Sequence, residues 1–208
     1  MNGHRDQKRH WETIYQTRDV HTVSWFQAEA RESLDLITRF VPDRVAPIID
    51  VGAGASVLVD DLLSAGYADI TVLDLSETAI EISRQRLGNS ASKVKWIVGD
   101  VRDAPLPERG YTVWHDRAVF HFLTDAGDRH AYVAQVERTV RPGGYVLVAT
   151  FAEDGPATCS GLPVVRYSAE SLHSEFGPSF RVMASEHEDH RTPSGREQSF
   201  LYCLCRRE

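Results

Sequence analysis

The feature that most constrains the fold is a short apolar segment followed at once by two glycines. Ile48, Ile49 and Val51 form a run typical of a strand buried on both faces. Gly52 and Gly54 follow it, and glycine permits a positive φ and a close approach of a ligand to the backbone. The segment therefore predicts a strand, a sharp turn and a helix, which together form the nucleotide-binding corner of a doubly wound α/β sheet.

An ordinary tight turn is the alternative interpretation of this segment. The third glycine of the dinucleotide-binding fingerprint is missing, because Ser56 and Val57 stand where it would fall. Ser56 is instead predicted to cap the helix that follows. The choice between a turn and a binding site therefore depends on the strands further along the chain.

Acidic residues recur at the ends of the next two predicted strands. Asp74 directly follows the apolar run 70–73, and Asp100 follows the strand predicted over 94–98. Together with Asp50, these carboxylates would line the edge of a parallel sheet at which ligands bind. An acidic residue at the end of the second strand is also the position that hydrogen-bonds ribose hydroxyls in this architecture. The pattern favours a binding site over an ordinary turn.

The rest of the chain continues the alternation of strands and helices. Further strands are predicted over 111–114, 145–151, 180–186 and 198–205. Further helices are predicted over 25–40 with Ser24 as its cap, and over 77–87, 127–140 and 169–176. Only a loop joins the last two strands, so they are predicted to be antiparallel. The expected fold class is α/β: a Rossmann-like, doubly wound, seven-stranded sheet with an antiparallel C-terminal strand pair in a three-layer α/β/α sandwich.

Length and composition limit the class of protein. The 208 residues fit a single domain, with an N-terminal helical cap over 1–42 and a core over 45–206. The net charge of −7 makes nucleic acid a poor partner. The polar N-terminus and the lack of a 20-residue apolar stretch argue against secretion and against a membrane partner. Three cysteines are too few for a disulfide framework, so a cytoplasmic location is expected.

Four short segments, in order and at these spacings, resemble the class I S-adenosylmethionine-dependent methyltransferases. They are Ile49–Gly54, Leu73–Ser76, Gly99–Val101 and Arg141–Gly144. The antiparallel final strands are also typical of that family and separate it from nicotinamide-binding folds. The resemblance therefore implies an enzyme with S-adenosylmethionine as cofactor, S-adenosylhomocysteine as product and a methyl acceptor as substrate.

The resemblance also assigns cofactor-binding residues. These lie at the strand ends and are Asp50, Gly52, Gly54, Asp74, Leu75, Asp100 and Val101. Asp74 would bind the ribose hydroxyls and Asp100 the adenine amino group, since carboxylates accept from such donors. Leu75 and Val101 would pack on the adenine faces, and the two glycines would let the methionine part lie against the turn. Asp50 would order the glycine turn and reach the amino group of the cofactor through water.

The N-terminal segment contributes aromatic candidates for the same site. Trp11 and Tyr15 are four residues apart, a spacing that places both rings on one face of a helix. A helix pinned to the core by these rings and a lid over the cofactor both fit that spacing. Tyr15, Trp25 and His115 are accordingly predicted to contact the cofactor.

The loop after the fourth strand carries the candidate catalytic residues. Its Asp116-Arg117-Ala118 segment is similar to one in thiopurine and halide/thiol methyltransferases, and a related Asp-Lys-Gly stands there in one group of protein lysine methyltransferases. Methyl transfer needs a positioned nucleophile and, where required, a base. His121 and His115 are predicted as bases and Asp116 as an orienting group, although a structural hydrogen bond fits either histidine equally well. For Arg117 a buried ion pair is favoured over a substrate clamp.

A metal site is not expected. It would require distant side chains to converge, namely Cys159, His115, His121, His187 and His190, because no Cys-x-x-Cys or His-x-x-x-His spacing is present. His187 and His190 are predicted to lie in a polar loop. That loop, 187–198, and the glycine-rich loop 155–161 are predicted to close over the substrate.

The predicted function is methyl transfer to a small-molecule nucleophile, such as a thiol or another soft acceptor, by a monomer or homodimer. A protein lysine N-methyltransferase is the first alternative, and it predicts an acidic, aromatic channel lined by Trp25, Phe26 and Tyr167. The second alternative is a module that binds S-adenosylmethionine or S-adenosylhomocysteine without catalysis. A nicotinamide-dependent oxidoreductase is disfavoured by the missing third glycine and by the C-terminal strands.

Overall fold

A computed structural model describes residues 2–208, with side chains from residue 6 onward. The helices are α1 (Asn2–Thr17), α2 (Arg31–Phe40), α3 (Leu58–Ser64), α4 (Glu77–Leu87), α5 (Ala126–Thr139) and α6 (Ala169–Phe176). The strands are β1 (Ile48–Val51), β2 (Ile70–Asp74), β3 (Val94–Val98), β4 (Tyr111–Arg117), β5 (Val140–Phe151), β6 (Thr158–Cys159), β7 (Leu162–Pro163), β8 (Phe180–Arg191) and β9 (Glu197–Arg207). Short 3₁₀ turns cover Gly88–Lys93 and Phe120–Phe122.

The main sheet has seven strands in the order β3-β2-β1-β4-β5-β9-β8. Strands β1 to β5 pair in parallel, and β9 is antiparallel to both β5 and β8. The predicted Rossmann-like sheet with an antiparallel C-terminal pair is therefore confirmed. The strand order reverses between β1 and β4, and in open α/β sheets ligands bind in the crevice at that switch point.

Helices cover both faces of the sheet and bury two apolar cores. One core joins α2 and α3 to side chains such as Ile48 and Val113, and the other joins α5 and α6 to side chains such as Ile49 and Trp114. This division follows from the two-residue period of a strand, which sends successive side chains to opposite faces. The same period determines which polar side chains meet at the strand ends.

The first helix of the core begins later than the sequence pattern predicts. Helix α2 starts at Arg31, its N-cap is Ala30, and no side chain caps it, so the predicted start at Trp25 with Ser24 as cap is wrong. The backbone amide of Ala30 donates instead to Oδ2 of Asp61, at 2.8 Å. The apolar residues at positions 25 and 26 fit the helical period, so the pattern extended the predicted helix too far toward the N-terminus. They are apolar because they belong to the site described below.

The C-terminal hairpin is longer than predicted. Strand β8 extends to Arg191 and β9 begins at Glu197, so His187 and His190 lie on a strand and the prediction of a polar loop is wrong. The error has a physical cause, because β8 is an edge strand and charged side chains are common on such strands. Among the described residues, no helix is long and apolar enough to cross a membrane.

Candidate active site

A cavity opens at the carboxyl ends of β1 to β4, at the switch point of the sheet. The empty space between its walls, together with the solvent at its open mouth, amounts to about 1270 Å³. Nine of the ten predicted cofactor residues line it: Tyr15, Trp25, Asp50, Gly52, Asp74, Leu75, Asp100, Val101 and His115. The tenth, Gly54, lies in the turn directly beneath Tyr15.

The glycine turn requires both of its glycines. Gly52 and Gly54 have φ values of +59° and +56°. A Cβ at Gly52 would lie 1.9 Å from Cγ2 of Val119, and one at Gly54 would lie 2.1 Å from the hydroxyl oxygen of Tyr15. Any other residue would therefore combine a strained backbone with a clash.

The amides of this turn are satisfied from β2. The backbone N–H of Gly52 donates to the carbonyl of Leu73 at 2.7 Å, and that of Gly54 donates to Oδ2 of Asp74 at 2.7 Å. Asp74 therefore orders the turn, and the expectation that Asp50 does so is wrong. The reason is position, since the turn folds back over β2, whereas the Asp50 side chain bonds to β4.

Helix α4 holds the outer side of the same turn. Arg86 donates to the carbonyls of Ala55 and Ser56 at 2.8 and 2.6 Å and pairs with Asp60 at 2.7 Å. The hydroxyl of Ser83 donates to the carbonyl of Gly54 at 3.2 Å. No sequence pattern indicated Arg86, because a basic residue in the last turn of a helix is common without such a role.

The carboxylate of Asp74 is held in place by two backbone hydrogen bonds and can still accept more. Its Oδ1 accepts from the backbone N–H of Ser76 at 2.7 Å and its Oδ2 from Gly54, and each oxygen keeps a second acceptor position. Burial raises the pKa of this carboxyl to about 6, against the opposing effect of the two backbone donors. The nearby carboxylates of Asp50 and Glu12 raise the pKa further.

Asp50 is bonded on one oxygen and free on the other. Its Oδ1 lies 2.7 Å from Nδ1 of His115, whose Nε2 lies 2.8 Å from the hydroxyl of Ser33 on α2. Oδ2 of Asp50 is buried and has no hydrogen-bond partner among the described residues. A buried carboxylate oxygen in a cavity wall fits a donor or cationic group of a ligand. Ser33 was not predicted from the sequence.

Asp100 lies in a network with one arginine. Arg102 donates to its two oxygens at 2.8 and 2.5 Å and also pairs with Asp128 on α5 at 2.6 Å. Burial alone would lower the pKa of Arg102, but Asp100 and Asp128 outweigh it and raise that pKa. The network fixes the loop after β3 against α5. Arg102 and Asp128 were not predicted, since their pairing depends on the packing of α5.

Helix α1 covers the cofactor side of the cavity. Glu12 accepts from the hydroxyl of Ser76 at 2.7 Å and from that of Thr78. Burial would raise the pKa of Glu12, but these hydrogen bonds outweigh it and lower the pKa. Trp11 packs edge-on against Trp25, with ring centroids 5.7 Å apart. The two interpretations of the N-terminal helix are therefore compatible, because its aromatic rings both pin it and line the cavity.

The cavity continues beyond the glycine turn to the end of β4, where Arg117 lies. Its Nε donates to the hydroxyl of Tyr202 at 2.8 Å, a terminal nitrogen lies 3.4 Å from Glu188, and its guanidinium stacks on Phe200 at 4.2 Å. This is the buried ion pair favoured by the sequence, although Arg117 also lines the cavity. Burial raises the pKa of neighbouring Cys159 to about 11, so its thiol is protonated at neutral pH.

The three predicted catalytic residues do not present a free base to the cavity. His121 is fully buried against Phe151 and is not part of the cavity wall. Burial, together with the charge of Arg117, lowers its pKa to about 3. Both nitrogens of His115 are hydrogen-bonded, to Asp50 and to Ser33. This placement argues against either histidine as the general base.

Asp116 has a structural environment on the opposite face of the sheet. It accepts from the hydroxyl of Tyr132 at 2.6 Å and from the backbone N–H groups of Val119 and Phe120 at 2.9 and 3.1 Å. Burial raises its pKa to about 6, and these donors oppose the rise. Asp116 therefore holds the turn after β4 and does not orient a histidine at the cavity.

The remaining candidates lie apart from one another. Tyr167 packs against Phe120 in the core and does not line the cavity. His190 bonds to the carbonyl of Ser24 at 2.8 Å. Within residues 6–208, whose side chains the structure describes, no group of three or more His, Cys, Asp or Glu side chains could hold a metal ion.

Comparison with known proteins supports the class that this geometry indicates. Residues 48–144 match a family model described as a methyltransferase domain. An O-methyltransferase, cnsE, of Penicillium expansum is 25% identical over 163 residues, which are 73% of this chain and 57% of that protein. EEF1A lysine methyltransferase 2 of Homo sapiens is 23% identical over 194 residues, which are 85% of this chain and 75% of that protein. The chain thus spans little more than half of the Penicillium relative.

Solved structures share the fold. One, described as the conversion of a disulfide bond into a thioacetal group during echinomycin biosynthesis, has a TM-score of 0.79 at 18% identity, covering 97% of this chain and 92% of its own. Another is a 1,6-didemethyltoxoflavin-N1-methyltransferase of Burkholderia thailandensis with bound S-adenosylhomocysteine. Its TM-score is 0.73 at 21% identity, covering 97% of this chain and 87% of its own.

The matched segment and the shared fold point to one family. Residues 48–144, a little under half of the chain, match a methyltransferase domain, and the fold of the chain is that of the class I S-adenosylmethionine-dependent methyltransferase superfamily. S-adenosylmethionine is the cofactor of that superfamily, as the resemblance of the four sequence segments implied. The buried oxygen of Asp50, for which the described residues offer no partner, and the two tightly enclosed glycines fit such a cofactor.

Proposed function

We propose that this chain is an active methyltransferase whose acceptor is a small-molecule nucleophile, a thiol or another soft acceptor that ionises readily. One observation carries the proposal. A single cavity at the switch point has three carboxylates, Asp50, Asp74 and Asp100, on one side and the cation of Arg117 on the other. The carboxylates suit the donors and the positive charge of the cofactor, and the guanidinium suits an anionic acceptor.

The proposed cofactor roles follow the order of the strands. Asp100 at β3 accepts from the adenine amino group, Asp74 at β2 from the ribose hydroxyls, and the free oxygen of Asp50 at β1 from the amino group of the methionine part. Leu75 and Val101 flank the adenine. When bound, the cofactor supplies an electrophilic methyl group on a sulfonium.

The chain itself contributes position and exclusion of water. Trp11, Trp25 and Phe122 form an aromatic roof, with Trp11 and Phe122 centroids 5.1 Å apart. A nucleophile held in line with the methyl gains most of its advantage from orientation. The protonated thiol of Cys159 cannot act as a base at neutral pH, and both nitrogens of His115 are bonded.

The proton of the acceptor therefore leaves to solvent water before transfer. Arg117 favours the resulting anion, because an opposite charge within a few ångströms stabilises the charged form. This argument favours thiols and other acidic acceptors over an alkyl ammonium. The sulfur chemistry named for one structural neighbour is compatible with it, although the likeness at 18% identity concerns the fold alone.

A protein lysine N-methyltransferase is the second candidate, and the human relative of that description favours it. Trp25 and Phe26 line the cavity as that function requires. Two observations weigh against it. Tyr167, which that function would place in the channel, is in the core. The carboxylate of Glu188 is not available as the acidic group of a channel, because it already accepts from Arg117, from Tyr202 at 2.7 Å and from Gln27 at 2.8 Å. A module without catalysis is disfavoured because the cavity continues past the cofactor residues to Arg117 and Cys159.

The test begins with calorimetric titration of S-adenosylmethionine and S-adenosylhomocysteine, with NADH as the control ligand. Micromolar binding to the wild type, lost in Asp74→Ala, is the expected result. Transfer of labelled methyl is then measured to thiols, phenols, amines and lysine peptides. Binding of NADH, or of none of the three, would overturn the proposal. Binding with transfer only to lysine peptides supports the second candidate, and binding without any transfer supports a non-catalytic module.

A further inference from the structure

Three polar side chains form a buried line from helix α2 to the wall of the cavity. Asp50 on β1 and His115 on β4 are directly opposite in the register of the parallel strands, so their side chains project from the same face. Ser33, in the first turn of α2, packs on that face. All three are at most 2% exposed, and the two contacts between them measure 2.7 and 2.8 Å.

The chemistry of the groups determines the direction of the hydrogen bonds. An ionised carboxylate can only accept, so Nδ1–H of His115 donates to Oδ1 of Asp50. The other nitrogen of a neutral imidazole is an acceptor, so the hydroxyl of Ser33 donates a hydrogen bond to Nε2. Asp50 thereby selects the tautomer of His115, Ser33 holds the imidazole ring in place through its other nitrogen, and His115 fixes the rotation of the Asp50 carboxylate.

The result is an oriented acceptor. The amides of the glycine turn that bond to β2 donate to Leu73 and Asp74, and Oδ2 of Asp50 has no partner among the described residues. A buried acceptor without a donor is unfavourable, so the arrangement is understandable if a ligand provides the donor. The cofactor offers such a donor in the α-ammonium of its methionine part.

We propose that Ser33 and His115 are positioning residues that orient Asp50 toward the α-ammonium group of the cofactor. The inference rests on the proposed function. It assigns no proton transfer to His115, because both of its nitrogens are occupied. It explains instead why a histidine and a serine occur as buried neighbours of the cofactor edge, on elements distant in sequence.

Two ligands separate this role from a purely structural one. S-adenosylhomocysteine carries the α-amino group, whereas 5′-methylthioadenosine has the same adenosine thioether without the amino acid part. In His115→Leu, which removes both hydrogen bonds, we expect S-adenosylhomocysteine to bind about 30-fold more weakly and 5′-methylthioadenosine to change less than about twofold. Both dissociation constants are measured by calorimetry, independently of activity.

Two further variants sharpen the test. His115→Asn places an amide N–H near the position of Nδ1–H, so it should recover most of the lost affinity for S-adenosylhomocysteine. Ser33→Ala keeps the imidazole but removes the hydroxyl that holds its ring in place, and a loss of about fivefold for S-adenosylhomocysteine alone is expected. Ser33→Ala and His115→Asn remain decisive if His115→Leu fails to fold in a thermal melt.

The outcomes distinguish the inference from the proposed function. If the variants weaken both ligands by the same factor, or weaken neither, the positioning role is wrong, while binding by the wild type still supports the cofactor part of the proposed function. If the wild type binds neither ligand, the proposed function itself fails. A loss that is selective for S-adenosylhomocysteine in His115→Leu, and is largely absent in His115→Asn, supports the inference.

Discussion

The two sides of the cavity are built in different ways. On the cofactor side, Asp50, Asp74 and Asp100 lie in or next to the strands whose ends they mark, and Asp74 bonds to the turn that the preceding strand begins. On the acceptor side, Arg117 depends on Glu188 and Tyr202, which are 71 and 85 residues away in sequence. Under the proposed function, recognition of the cofactor is local to the strands, whereas recognition of the acceptor depends on the C-terminal hairpin.

Two arginine–carboxylate pairs whose arginines line the cavity, Arg102–Asp100 and Arg117–Glu188, show the same contrast. Arg102 binds Asp100 from two residues away, and its side chain is 4% exposed. Arg117 reaches Glu188 across the sheet at 3.4 Å, and that carboxylate also accepts from Tyr202 and Gln27. The bond between Arg102 and Asp100 forms within one loop, although Arg102 also pairs with Asp128 on α5, whereas the pair of Arg117 requires β8, β9 and the N-terminal segment together.

The largest expected effect comes from a substitution that disrupts only the cofactor side of the cavity. In Gly54→Ala the new Cβ would lie 2.1 Å from the hydroxyl of Tyr15, and the residue would keep a φ of +56°. We expect affinity for S-adenosylhomocysteine to fall by about 100-fold or more, because strain and clash together cost at least about 3 kcal/mol. Calorimetric titration measures the change.

Gly66→Ala is the matched control for this substitution. Gly66 also has a positive φ, +90°, but nothing lies within 4 Å of the position that a Cβ would take, so the variant carries backbone strain without a clash. It should lose about 1 kcal/mol of unfolding free energy and keep its affinity for S-adenosylhomocysteine. Equal losses of affinity in the two variants would show that the contact between Tyr15 and the glycine turn is unimportant.

The contrast also explains what the sequence could predict. The sheet, the glycine turn and the residues at the ends of β1, β2 and β3 were predictable, because strand periodicity and a glycine pair are local signals. Six of the nine predicted cofactor residues that line the cavity lie at these strand ends. The start of α2 was mispredicted because Trp25 and Phe26 fit a helical period while serving the cavity.

Residues that act through long-range packing were not predictable in this way. Ser33 has a role only because α2 lies on the face that carries Asp50 and His115, and no local pattern reports that packing. His121 followed an apolar strand as a catalytic histidine would, yet the turn after β4 directs it into the core. Local sequence gives the chemical type of a side chain, whereas the tertiary fold decides what it meets.

The second prediction tests the acceptor side through stability. Removing the guanidinium in Arg117→Met leaves Glu188 largely buried without its cation, so we expect a loss of about 2 kcal/mol of unfolding free energy. Adding Glu188→Gln removes the uncompensated charge and should recover about half of that loss. Urea unfolding gives both values. Affinity for S-adenosylhomocysteine should stay within about twofold, and a large loss would mean that the two sides of the cavity are coupled.

The third and smallest effect is a pH dependence on the cofactor side. Burial raises the pKa of Asp74 to about 6, and its ionised form is the one that accepts hydroxyl donors at both oxygens. Ionisation is complete well above that pH and is lost as the pH falls through 6. Affinity for S-adenosylhomocysteine should therefore be nearly constant from about pH 7 to 8 and decline below about pH 6, by at most about tenfold per pH unit.

Asp74→Asn isolates this titration from those of the neighbouring carboxylates. The amide cannot ionise, so the variant should bind S-adenosylhomocysteine weakly at every pH and lack the decline at acidic pH. Asp50 and Glu12, which face Asp74 and raise its pKa, are unchanged in the variant. If Asp74→Asn keeps the full pH dependence, another carboxylate of the cavity controls binding. Binding on the cofactor side would then depend on several titrating groups. The contribution of each carboxylate could not be assigned to a single residue, even though each one lies at the end of its own strand.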